Sequence, residues 1–100
     1  MRAVVVVFHL PKGTPMKVHK QFGRAIYGEN TSSWKGKYRY HRKGLLDDIP
    51  HVKLYWGSLI LLERDLHLLE RVFKAFSVEY AWREIKPLAS DIKALEVPAL

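Results

Sequence analysis

The chain has 100 residues, 48% of them apolar, no cysteine, and seventeen Lys and Arg against ten Asp and Glu, for a formal net charge of +7. That length supports one core, and the apolar fraction excludes a disordered chain. The missing cysteines exclude a disulfide framework and a thiolate metal site, and no apolar run approaches the ~20 residues of a membrane span.

The N-terminus lacks the charged region, long apolar stretch and cleavage site of a signal peptide. The expectation is therefore a single cytoplasmic domain over residues 1–100, with its core in 2–86 and a short helix and tail in 88–100. Gln21 and Asn30 are the only amide side chains. Such depletion is a feature of hyperthermophile proteins and points to a thermophilic, archaeal source. The charge is also unevenly spread. Residues 1–53 carry eleven Lys and Arg against three acids, whereas 54–100 carry six against seven. One basic face directed at a polyanion follows from that asymmetry.

Arg2 to Leu10 is an apolar β-branched run, the pattern of a strand buried on both faces. Pro11-Lys12-Gly13 breaks it, and Thr14-Pro15 supplies an N-cap and a first helical residue. Val18, Phe22, Ala25 and Ile26 then repeat at helical spacing up to Gly28, a C-cap. Glu29 to Ser33 reads as a polar loop. Trp34 to Lys43 alternates strictly, with Trp34, Gly36, Tyr38 and Tyr40 on one side and Lys35, Lys37, Arg39 and His41 on the other, which predicts a strand. Gly44 to Pro50 leads into a second long strand over His51–Leu62. Asp65 can cap a helix with the apolar stripe Leu66, Leu69, Val72, Phe73 and Phe76. A last strand follows over Ser77–Ile85, then a short helix over Ser90–Leu95.

The order β-α-β-β-α-β predicts an α+β fold, a ferredoxin-like sandwich with a four-stranded antiparallel sheet and two helices on one face. The other face is then open. Lysines and arginines assign it: Lys35, Lys37, Arg39 and His41 face outward, Lys53 brings Tyr55 and Gly57 with it, and His9 brings Val5 and Val7. Arg83 brings Glu79 and Ala81.

A face that mixes cations with rings suits single-stranded nucleic acid, whose phosphates need Lys and Arg and whose bases need a flat platform. The expected interface is Lys35, Lys37, Arg39, His41, Arg42, Lys43, Lys53, Tyr55 and His9, with RNA favoured over DNA. RNA-binding modules of the RRM type use the same face of the same sandwich. Lys35-Gly36-Lys37-Tyr38-Arg39-Tyr40 resembles the opening of their RNP1 motif. It departs in having Lys37 at an aromatic position and in lying on the second strand rather than the third. The alternative is a homodimer, a structural or regulatory module whose sheets pack through Val5, Val7 and Tyr55.

No pattern in the sequence calls for a cofactor, a metal or an enzyme. His9, His41 and His51 near an arginine are the residues a histidine-based ribonuclease would need, because imidazole titrates near neutrality, but no spacing ties them together. Lys12, Gly13, Thr14 and Lys17, between a strand and a helix N-terminus, form an expected anion site, since free amides there can hold a phosphate. Asp47-Asp48 reads as turn chemistry.

Overall fold

A computed structural model describes residues 2–33 and 38–96. The fold is α+β. Its elements in chain order are β1 (Ala3–His9), α1 (Met16–Tyr27), β2 (Glu29–Ser33), β3 (Tyr38–Arg42), a 3-10 turn (Leu45–Asp48), β4 (His51–Tyr55), β5 (Ser58–Leu62), a 3-10 turn (Glu63–Asp65), α2 (Leu66–Phe76), β6 (Glu79–Ile85) and α3 (Ala89–Leu95). Four strands form the main sheet in the order β4-β5-β1-β6, and every neighbouring pair is antiparallel. Among the described residues, β2 and β3 pair only with each other.

Alternation along β1 places Val4, Val6 and Phe8 on one face of the sheet. There they meet Leu59 and Leu61 of β5, Phe22 and Ile26 of α1, and Leu66, Leu69 and Phe73 of α2. Phe22, Phe73, Leu59, Leu61 and Leu69 are fully buried, and each contributes on the order of 1.5–3 kcal/mol of apolar burial. Both helices follow their sequence stripes, because residues three and four apart share a helix face.

Three expectations are corrected here. Residues 51–62 are not one strand but the hairpin β4–β5, turning at Trp56-Gly57. Gly57 makes the turn at φ +86°, and a Cβ there would meet the Phe8 carbonyl oxygen. Only glycine adopts that backbone without strain.

Over its described residues, 38–42, the strand expected over 34–43 does not join the main sheet. Its described part, β3, pairs instead with the segment read as a polar loop. Among the described side chains, none from β2 or β3 belongs to the buried clusters. β2, Glu-Asn-Thr-Ser-Ser, has no apolar side chain to bury in the sandwich. Tyr40, expected to face the helices, is 50% exposed.

The second sheet face is not wholly open. Ile60 and Leu62 point away from α1 and α2, and α3 covers them: Leu95 is buried against Ala3, Ile60 and Leu62, with Val5, Val52 and Ile85 alongside. The run Leu59-Ile60-Leu61-Leu62 is apolar on both faces and needs cover on both. α3 caps only one end. At the other end Val7 and Tyr55 stand exposed, beside Ser58 and Ala81 in the register.

Candidate nucleic-acid interface

The hairpin stands where two glycines allow the chain to cross itself. α1 ends at Gly28, whose N–H donates to the Arg24 carbonyl oxygen (2.9 Å) and whose φ is +78°. A Cβ on Gly28 would overlap the Arg42 carbonyl oxygen, and one on Gly44 would overlap the Gly28 nitrogen. Backbone therefore touches backbone at the hairpin base, which no larger residue permits.

A side-chain latch holds the same place. His41 Nδ1 lies 2.8 Å from Asn30 Oδ1 across the hairpin, and Nε2 lies 2.7 Å from Asp47 Oδ2. The Asp47 carboxylate also accepts the Gly44 N–H at 2.8 Å. The hydrogen bond from His41 holds the Asp47 carboxyl below its ordinary range, helped by the Gly44 amide and by the charges of His41 and His51. Both ring nitrogens of His41 are thus engaged within the protein. His9 is elsewhere, with Nδ1 near the Leu10 carbonyl and Nε2 3.4 Å from Glu79. His51 Nδ1 is occupied by the Ile49 carbonyl at 2.8 Å. His9 thus sits apart, whereas His41 and His51 both lie near Asp47.

The expected interface residues divide into three groups. Arg39, His41, Arg42 and Lys43 are exposed together on β3 and just beyond it. Lys43 lies 3.7 Å from Asp48. Glu29, opposite Arg42 in the register, instead pairs with Arg24 at 3.3 Å. Among the described residues, Arg39 and Arg42 have no carboxylate partner. Lys35 and Lys37 lie outside the described residues.

Tyr55 and His9 form the second group, at the uncovered end of the sheet. Tyr55 is 78% exposed there. Lys53 belongs to neither group. It pairs with Leu59, a residue buried on the helix side, and its Nζ sits 4.6 Å over the ring of Tyr27 in α1. A register irregularity between Lys53 and Tyr55 breaks the alternation that would have kept both on one face.

At the expected anion site, Gly13 turns at φ +87°, and Thr14 directs both its hydroxyl and its N–H to the Pro11 carbonyl. The turn closes on itself before α1 begins at Met16, leaving Lys12 and Lys17 exposed on either side. Among the described residues no group of three His, Asp or Glu side chains converges on a point where a metal ion could sit, and no helix is long and apolar enough to cross a membrane.

Lys53 brings into view a groove that reading the strands missed. Lys20, Gly23, Arg24, Tyr27, Gly28 and Glu29 line one side, and Lys53 and Trp56 the other, around about 510 Å³. The signal was in α1: Lys20, Arg24 and Tyr27 are spaced four and three residues apart, which sets them on one helix face. Tyr27 is half-buried, and burial pushes its phenol above the ordinary range, so the hydroxyl accepts the Gly57 N–H (2.9 Å) as a neutral group. Compared with family models, curated proteins and solved structures, the chain matches none.

Proposed function

We propose that this protein is a non-enzymatic nucleic-acid-binding domain that takes single-stranded RNA in preference to DNA. The observation that carries the reading is the run Arg39-Tyr40-His41-Arg42-Lys43. All five residues are exposed, and no described side chain of their hairpin belongs to either apolar cluster. Arginines without carboxylate partners are free to neutralise phosphates, and a half-exposed tyrosine offers a face to a base.

The preference for RNA draws on the polar recess formed by Asn30, Thr31, Arg39, Tyr40 and His41. With Asn30 Oδ1 on His41 and the Thr31 hydroxyl donating to the Tyr40 carbonyl, the Asn30 amide nitrogen and the Tyr40 hydroxyl are left to meet a ribose 2′-hydroxyl, the group by which proteins tell RNA from DNA. In this reading the binding surface is the hairpin rather than the sheet face, since α3 covers one end of that face and Lys53 lies behind it.

The frame behind the hairpin fits a ferredoxin-like sandwich with β2–β3 inserted after its first helix. Counting only the main-sheet strands along the chain, their spatial order is second, third, first, fourth, the order of the split β-α-β unit when read from the other edge.

The double variant Arg39→Glu/Arg42→Glu tests the assignment. It should lose RNA binding while its circular dichroism stays native, and undiminished affinity would overturn it. Val7, 51% exposed on a central strand beside Tyr55, favours a second reading, self-association through the uncovered end of the sheet. Light scattering at high salt would report it as a dimer.

A further inference from the structure

We propose that Trp56 is a base-stacking subsite, in which one nucleotide of a bound single strand lies on the indole while Lys20 and Lys53 hold its phosphates. This inference rests on the nucleic-acid reading and extends it to a second element of the surface.

Trp56 occupies the β4–β5 turn and is 46% exposed. Its inner side is braced by three rings: Tyr27 at a centroid distance of 5.7 Å, and Phe8 and Phe22 at 6.4 Å each. Gly57 fixes the turn beneath it, with its N–H on the Tyr27 hydroxyl and its carbonyl oxygen accepting the Phe8 N–H at 2.8 Å. The indole is thus packed against three rings and still about half exposed. A stacking platform needs that combination, because a ring ordered in advance loses little entropy on binding.

The charge around it matches the same ligand. Lys20, Arg24 and Lys53 border the groove with Glu29 as the single acid, and Glu29 is taken up by Arg24. Lys20 and Lys53, which line the same groove as the indole, remain for phosphate. A volume of about 510 Å³ lies within the range of roughly 300–1,000 Å³ typical of small-ligand sites. Gly28 and Glu29 form part of the groove wall and begin the hairpin. A strand bound along Arg39–Lys43 therefore reaches the groove past the hairpin base.

The test uses the full chain with labelled oligouridylate and oligoadenylate, following anisotropy of the label and tryptophan emission in the same titration. Wild-type protein should show emission quenching that saturates with the anisotropy. Trp56→Phe should keep most of the affinity but lose most of the quenching amplitude. Trp56→Ala should bind about 5- to 150-fold more weakly, the range expected for one base–aromatic stack. Trp56→Phe preserves the packing on Tyr27 and Phe22, so the emission comparison holds even if the alanine variant unfolds. RNA binding by anisotropy with equal quenching in wild type and Trp56→Phe would overturn the subsite and leave the hairpin reading standing. No binding by the wild-type chain at low salt would overturn both.

Discussion

Gly28 and Gly44, sixteen positions apart, lie backbone against backbone where the chain enters and leaves the β2–β3 hairpin. With the His41 latch, the contact anchors an element none of whose described side chains joins the core clusters. It also sets the position of β3, and with it Arg39 and Arg42.

Gly44→Ala is therefore predicted to be costly. The added methyl would overlap the Gly28 nitrogen and the Ile26 carbonyl oxygen, both backbone atoms that cannot swing aside. A loss of about 1–3 kcal/mol, the usual cost of overpacking, should appear as a lowered urea midpoint. RNA affinity should fall with it, because the hairpin must move. An unchanged midpoint would mean that the crossing is looser than described.

The latch on the other side of that crossing titrates. Asp47 has its carboxyl held below the ordinary value of 3.8, first by the hydrogen bond from His41 and then by the Gly44 amide. A depressed folded-state pKa adds stability that is fully present above the unfolded value and is lost as pH falls through the folded one. Relative to Asp47→Asn, the wild-type protein should hold a constant advantage above the ordinary carboxyl range and lose it on further acidification. Urea midpoints followed from about pH 6 to about pH 2 would measure this. A difference independent of pH would remove the carboxylate from the account.

Much of this fold is written in periodicity. Val4, Val6 and Phe8 alternate, Phe22 and Ile26 repeat at four, and Leu66, Leu69 and Phe73 mark one helix stripe, so β1, α1 and α2 can be read directly. Glu29 to Ser33 carries no such signal, because a strand held by its backbone ladder and by the Asn30–His41 contact needs no apolar residue. Lys53 misled for a different reason. A lysine on an edge strand can face the helix layer and still keep its ammonium in solvent by lying along a ring, here that of Tyr27. The cover supplied by α3 was foreshadowed in Leu59-Ile60-Leu61-Leu62, apolar on both faces, but sequence spacing does not say which later segment returns to it.

Leu95 is the residue by which α3 holds that second face. It is 1% exposed and packs on Ala3, Ile60 and Leu62. Leu95→Ala should cost about 2–5 kcal/mol, the range for emptying a buried leucine site. By uncovering Ile60 and Leu62 it should also promote self-association visible in light scattering. A stable, monomeric variant would show that α3 is dispensable for covering the sheet.

The central claim is that a basic hairpin binds single-stranded RNA through phosphates and stacking, and a fluorescence-anisotropy titration tests it most directly. Labelled single-stranded RNA, single-stranded DNA and duplex would each be titrated at several salt concentrations. The account predicts micromolar or tighter binding at low salt, strongest for single-stranded RNA. The logarithm of its affinity should fall with the logarithm of salt at a slope of about −2 to −3.5, as for three to five phosphate contacts on a single strand. Binding that ignores salt, or no binding at low salt by a chain of net charge +7, would contradict it.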